Sequence, residues 1–153
     1  MKIIIYFITA LAAFYLGSFL YMARDSKTPR VTGLVNGKLR SCPGTPNCVL
    51  SEEKDKPSYI EPFRFTRDAA EAWKKAKKAV VTLGGTIQNE SEGYLWATFE
   101  TKFWHFTDDL ELRLDAPGKL IHVRSASRVG KGDMGMNRKR VEDLRSIFNS
   151  AGS

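Results

Sequence analysis

The sequence predicts an α+β domain behind one N-terminal transmembrane helix. Three observations lead to this fold class. An uncharged apolar run fills residues 3–22, two later segments repeat apolar residues at helical spacing, and the region between them alternates with the period of a strand. We therefore expect a two-layer sandwich in which an antiparallel four-stranded meander is flanked by two helices.

The first element is a membrane helix. Residues 3–22 read IIIYFITALAAFYLGSFLYM and contain no charged side chain. At about 1.5 Å per residue, a helix of this length spans roughly 30 Å, the thickness of the hydrocarbon core of a bilayer. We assign residues 1–23 as the anchor of a single-pass membrane protein. Ala10-Leu11-Ala12 also resembles a signal-peptidase site, so cleavage is the alternative, although it would leave an apolar new N-terminus.

A polar linker follows the anchor. Residues 24–39 contain Pro29, Gly33 and Gly37, which disfavour regular structure. Residues 40–150 then form one globular domain, since a chain of 153 residues is too short for two full-sized domains.

Two patterns disagree about the side of the membrane on which this domain lies. Cys42 and Cys48 are the only cysteines, and the prolines and glycine between them bend the chain enough for a disulfide. A disulfide persists in an oxidising compartment and favours the extracytoplasmic, periplasmic side. Positive charges after the apolar run outnumber those before it, which favours the cytoplasmic side. We expect the disulfide and, with it, the extracytoplasmic side. The alternatives to the disulfide are a reduced structural or redox pair and a metal site, and the alternative location is the cytoplasmic side.

The domain begins with a strand and a helix. Residues 59–65 alternate loosely and predict a first strand, which Pro62 confines to a sheet edge. Residues 66–83 carry apolar side chains at i, i+3 and i+4, with Thr66 as the predicted N-cap. Gly84-Gly85 ends this helix.

The pattern then changes to that of an antiparallel sheet. Leucines at 110, 112 and 114 alternate with charged residues, which predicts a strand with one buried face. Residues 136–149 form the last helix, capped by Asn137 or Asp133. The strands of the meander are predicted at residues 86–89, 94–101, 109–115 and 120–125.

The stretch VRSASRVGKGDMGMNR, residues 123–138, is a candidate anion site. Arginine can hold a carboxylate or phosphate through paired hydrogen bonds, serine offers hydroxyls, and glycine lets the backbone approach a ligand before a helix N-terminus. The stretch matches neither of the glycine-rich phosphate-loop patterns. The candidate ligand-binding residues are Arg124, Ser125, Ser127, Arg128, Gly130, Asp133, Asn137 and Arg138.

Asp108 and Asp109 give the same stretch a structural alternative. Adjacent residues of a strand face opposite sides, which argues against a carboxylate pair acting together on one substrate. We expect ion pairs with the arginines of residues 124–128 that hold the last helix to the sheet. The enzymatic alternative is a hydrolase of phosphate esters or lipids that uses Asp108 or Asp109 with Arg124 and Arg128.

The sequence gives little support to a serine nucleophile, a metal site or a thiol redox centre. Ser125 and Ser127 lack the setting of a hydrolase nucleophile, and no pattern brings His105 or His122 to them. The cysteine spacing is not that of zinc ligands or of a redox C-x-x-C. We expect no metal, no cofactor and no nucleic acid partner. The formal charge of +7 fits an anionic partner, although a solvated basic face explains it equally well.

Three motifs resemble the domain-of-unknown-function family 1499: CPGTPNCV from Cys42, FTDDLEL from Phe106, and VRSASRVGKGDMGMNRKRVEDLR from Val123. The resemblance runs from about Leu39 to Phe148 and implies no reaction. It implies signature positions at Cys42, Pro46, Asn47, Cys48, Asp108, Asp109, Arg124, Ser125, Ser127, Arg128, Gly130, Asp133, Gly135, Asn137 and Arg138.

These observations together predict a membrane-anchored envelope domain without catalytic activity. Residues 3–22 contact the membrane, and the domain binds an anionic ligand, a lipid or a protein partner.

Overall fold

The structure is a computed structural model that describes residues 2–150. Within this range the chain forms three helices: α1 (Lys2–Ser26), α2 (Ala69–Thr82) and α3 (Met136–Ser150). The strands are β1 (Leu34–Val35), β2 (Lys38–Leu39), β3 (Cys48–Leu50), β4 (Phe63–Arg64), β5 (Thr86–Ser91), β6 (Tyr94–Glu100), β7 (Thr107–Asp115) and β8 (Leu120–Ser127). The expected α+β class with an N-terminal apolar helix is confirmed.

The sheet is larger than the predicted four-stranded meander. β5, β6, β7 and β8 follow one another in antiparallel order, but β3 and β4 both pair with β8 and complete a six-stranded sheet. Cys48 lies opposite Ala126, and Phe63 lies opposite Ile121. These added strands have three and two residues, too few to show an alternating pattern in the sequence. The strand expected over residues 59–65 is accordingly reduced to β4.

Alternation along the strands divides the sheet into two different faces. Leu110 and Leu112 of β7 are fully buried and pack in the core with Trp73 and Val80 of α2 and Leu144 of α3. Burying one such side chain contributes about 1.5–3 kcal/mol. The intervening residues of β7 point to the opposite face, which is covered by the segments around Ser26, Gly33 and Glu52. Charged side chains of β7 and β8 are therefore enclosed on that face.

Helix α2 begins later than the sequence suggested. Its N-cap is Asp68, whose Oδ1 accepts a hydrogen bond from the Glu71 N–H at 2.9 Å, and not Thr66. A carboxylate satisfies a free N–H of the first turn and also interacts favourably with the positive end of the helix dipole. The aspartate therefore caps the helix better than the threonine two residues earlier.

The region expected to contain the anchor and the linker holds one long helix and a short hairpin. α1 continues through Ser26, residues 27–33 contain no helix or strand, and β1 and β2 then pair as a hairpin. The helix has a mean hydropathy of 2.1 over its most apolar window, and none of that window is buried, so it is long and apolar enough to cross a membrane. Ser26 is fully buried, because the helix end packs against the domain.

Candidate functional site

Asp108 and Asp109 are adjacent on β7 and serve opposite faces of the sheet. Asp108 accepts a hydrogen bond from Arg140 of α3 at 2.6 Å. Asp109 accepts two hydrogen bonds, of 2.7 and 2.9 Å, from Arg128, the residue that follows β8. Both carboxylates are 3% exposed and paired with a cation. They cannot converge on one substrate, which a paired acid–base mechanism requires.

Arg128 connects the sheet to the end of α1. Besides Asp109, its guanidinium donates to the carbonyls of Ser26 at 3.0 Å and Lys27 at 3.2 Å. The Ser26 hydroxyl in turn accepts a bond from the Thr107 N–H. Carbonyls at the C-terminal end of a helix lack partners within the helix, and a cation there also interacts favourably with the helix dipole. We call these five residues the helix junction.

Arg124 has a carboxylate partner that the sequence analysis did not identify. Glu111 of β7 is fully buried and accepts bonds from Arg124 at 2.9 Å, the Tyr94 hydroxyl at 2.8 Å and the Gly33 N–H at 2.7 Å. Burial and the adjacent Glu111 carboxylate raise the pKa of the Tyr94 hydroxyl. The sequence does contain a signal for this pair. Counting residues back along both strands from the β7–β8 turn places Glu111 directly opposite Arg124.

Asn137 lies at the centre of a second polar network. It is fully buried, and its amide nitrogen lies within 3.0 Å of the Asn47 carbonyl, the Ser127 hydroxyl and an Asp133 carboxylate oxygen. Its amide oxygen accepts bonds from Ser125 at 2.6 Å and from Arg140. One side chain thus joins the segment before β3, strand β8 and helix α3.

The glycine loop, residues 129–135, folds onto itself. Asp133 accepts the Asn137 N–H at 2.7 Å and the Gly135 N–H at 2.9 Å, so it caps α3 with its own carboxylate. The Gly130 carbonyl accepts a bond from the Asn47 amide. Gly130 and Gly135 both have φ of 78°, a conformation that favours glycine. The helix end expected to attract an anion is already occupied by Asp133.

Arg138 lies at a cleft of about 530 Å³ beside the disulfide loop. Its guanidinium donates to the Tyr59 carbonyl at 2.9 Å. Lys56 and Arg138 line this cleft together with Glu53 and Asp133, so its charged residues balance. The Cys42–Cys48 disulfide forms part of the wall, with Cα atoms 5.8 Å apart. The disulfide expected from the sequence is therefore present, and two of the eight candidate anion-site residues reach this cleft.

The structure brings one serine beside a histidine. The Ser51 hydroxyl lies 3.2 Å from His122 Nδ1 and accepts a bond from the Val123 N–H at 2.9 Å. His122 Nε2 is 3.9 Å from Asp115, too far for a hydrogen bond, so a Ser–His–Asp relay is not assembled. Ser51 is 3% exposed, which closes it to a substrate. Within residues 2–150, no three His, Cys, Asp or Glu side chains are placed to hold a metal ion.

His122 gives the domain a pH-dependent stability. Burial lowers the pKa of His122, because the charged ring loses solvation. The unfolded chain takes up a proton near pH 6.5 while the folded chain does not, so we expect stability to decrease as the pH falls below about 6.5. Urea unfolding at a series of pH values measures this slope. The dependence of stability on pH should diminish in His122→Gln and persist in His105→Gln. An unchanged slope in His122→Gln would show that another group causes the pH dependence.

A sequence profile of the family described as "Protein of unknown function (DUF1499)" matches residues 38–148. No curated protein matches the chain. The matched range contains the disulfide, the buried carboxylates and the Asn137 network, whereas α1 lies outside it.

Proposed function

The chain belongs to the DUF1499 family, and from this premise we propose that it is a non-catalytic, membrane-anchored module of the cell envelope that assembles with a protein partner. The observation that carries the proposal is the helix junction. Arg128 donates hydrogen bonds to Asp109, to the carbonyl of Ser26 at the end of α1 and to that of the next residue, Lys27. The motif residues thereby fix the domain on its anchor, which is a scaffolding role.

The hydrolase alternative lacks an open reaction centre. Asp108 and Asp109 are buried, neutralised by arginines and turned to opposite faces. Neither lines the cleft beside the disulfide loop. A general base must reach the proton that it abstracts, and both carboxylates are already bonded inside the domain, Asp108 to Arg140 and Asp109 to Arg128 and the Trp96 indole N–H.

The anion-binding alternative has few donors left. Arg124 and Arg128 are engaged with carboxylates, and Asp133 occupies the N–H groups at the start of α3. The balanced charges of the cleft do not select a phosphate. Mixed charge around a partly apolar cleft suits a segment of a protein partner better.

The disulfide supports a domain on the extracytoplasmic side. A bond between Cys42 and Cys48 persists where thiols are not continually reduced. The positive charges that follow the apolar run favour the cytoplasmic side instead. We give the disulfide more weight, because α1 continues into a folded domain and the charge rule is strongest for short loops.

Arg128→Lys tests whether the junction fixes the domain on α1. Lysine keeps the charge but cannot reach Asp109 and the two carbonyls together, so we expect a loss of about 1–2 kcal/mol and a loosened helix. Spin labels at Arg24→Cys and Ala116→Cys of the full chain should give one narrow distance, which broadens in Arg128→Lys.

Arg145→Lys is the matched control for this measurement. Arg145 also binds one carboxylate, Glu142, and two backbone carbonyls, but these belong to Glu61 and Pro62 and not to α1. Its distance distribution should remain narrow. A broad distribution in the unmodified chain would refute the rigid junction.

Hydrolysis of a phosphate or lipid ester by the full chain, abolished in a folded Asp109→Asn variant, would overturn the non-catalytic assignment.

A further inference from the structure

We propose that two loops of the domain insert into the lipid bilayer beside α1, so that the domain lies on the membrane surface instead of standing away from it. The loops are the β6–β7 loop, residues 101–106, and the glycine loop, residues 129–135. This inference rests on the proposed function in one respect, that α1 lies in a membrane.

Both loops present large apolar side chains that the domain does not cover. Phe103 is 79% exposed and Met134 is fully exposed, while Trp104 is about one-third exposed. Leaving such side chains in water forgoes the stabilisation that burial would give, about 1.5–3 kcal/mol for each of the larger ones. Exposed apolar groups on neighbouring loops are typical of a binding surface.

The contact between Trp104 and α1 sets the depth of the first loop. The Trp104 ring stacks on the Phe19 ring, with centroids 4.6 Å apart and planes 16° apart. Phe19 lies three residues before Met22, where the uncharged run ends, and is therefore about 4.5 Å inside that end along the helix. Trp104 consequently lies at the level where a bilayer passes from hydrocarbon to headgroups, a region enriched in tryptophan.

The second loop reaches α1 at the same level. A Cβ placed on Gly130 would lie 3.8 Å from the terminal methyl of Met22. Gly130 is therefore beside the last residue of the apolar run, and Met134 follows four residues later in the same loop. Two separate parts of the chain thus meet α1 where it would leave the bilayer.

The charges around these loops complement a membrane surface. Arg24, Lys102 and Lys131 are exposed and have no ion-pair partner among residues 2–150. Basic side chains near a bilayer surface are attracted to anionic headgroups, each by about 1 kcal/mol. Apolar side chains at the level of the helix exit, with basic side chains beside them, identify lipid as the occupant of this surface.

Nitroxide labels on the full chain in vesicles test the insertion. The native cysteines are bonded to each other, so Phe103→Cys and Met134→Cys each introduce a single reactive thiol. In vesicles of phosphatidylcholine and phosphatidylglycerol, both labels should collide readily with oxygen and several-fold less with a water-soluble nickel chelate. Ala116→Cys is the control, because its exposed turn lies at the other end of β7, about 26 Å from Thr107.

The outcomes separate this inference from the proposed function. Labels at 103 and 134 that meet the nickel chelate as freely as the label at 116 would overturn insertion. Labels shielded from both reagents would overturn it too, because protein and not lipid would then cover the loops. In either case a narrow distance between the Arg24→Cys and Ala116→Cys labels, broadened by Arg128→Lys, would leave the junction intact.

Discussion

Replacing Glu111 with alanine is expected to destabilise the domain by about 3–5 kcal/mol or to prevent its folding, because it breaks a buried ion pair from one side. The substitution leaves the Arg124 guanidinium as an uncompensated buried cation. It also removes the acceptor of the Tyr94 hydroxyl and of the Gly33 N–H. The β1–β2 hairpin would then lose the hydrogen bond just before β1 and keep the one between the Leu39 N–H and Glu52.

Urea unfolding of the full chain in detergent, followed by tryptophan fluorescence, measures this effect. Glu111→Gln retains an acceptor for Tyr94 and Gly33 but loses the charge, so it should fold and be destabilised less than Glu111→Ala. Glu142→Ala removes an exposed carboxylate paired with Arg145 and should change stability by at most about 1 kcal/mol. Equal effects of Glu111→Ala and Glu142→Ala would show that the buried network carries little stability.

The pair of Glu111 and Arg124 shows where sequence reasoning stopped. The alternation of β7 located its leucines in the core, and the same pattern assigned the intervening charged residues to a polar face. A period of two says which residues share a face but not whether that face is solvated. Here Ser26, Gly33 and Glu52 lie over it, and the first two of these residues belong to the segment predicted as a polar linker. The pattern therefore did not identify Glu111 as a buried carboxylate.

Long elements were predicted well for a related reason. The apolar run of α1, the stripes of α2 and α3 and the four longer strands each span enough residues for a period to be counted. β3 and β4 are held by pairing with β8, which only the folded chain supplies. The candidate anion-site residues divide between the β7 carboxylates, the Asn137 network and the cleft, and this division depends on distant partners such as Asn47 and Ser26.

The interior arginines have a common physical consequence. Arg124, Arg128 and Arg140 each bind a different carboxylate of β7, and none of these side chains is more than 10% exposed. A buried ion pair can cost as much in desolvation as it gains, so the net stability gained from three of them is small. They constrain the geometry strongly, because each arginine must meet its own carboxylate, while Arg128 also binds two carbonyls at the end of α1 and Arg140 also binds Ser125 and Asn137. The arrangement therefore favours one orientation of α1 and α3 over others.

Replacing Asn137 with alanine is expected to destabilise the domain by about 3 kcal/mol. The side chain supplies both donors and an acceptor inside the protein, and each buried group left without a partner costs about 1–3 kcal/mol. Alanine also leaves a cavity between β8 and α3. Asn149→Ala, on an exposed position of the same helix, should change stability by less than about 0.5 kcal/mol.

Asn137→Asp separates hydrogen bonding from packing in this network. Aspartate keeps the volume of asparagine but loses the amide donors and places a second carboxylate beside Asp133. If donation to Asn47 and Ser127 holds the network together, this variant should be destabilised at least as much as Asn137→Ala. A stability close to that of the unmodified chain would instead mean that shape alone matters at this position. Packing of the side chain would then position α3, and the hydrogen bonds would form only because the packing brings the groups together.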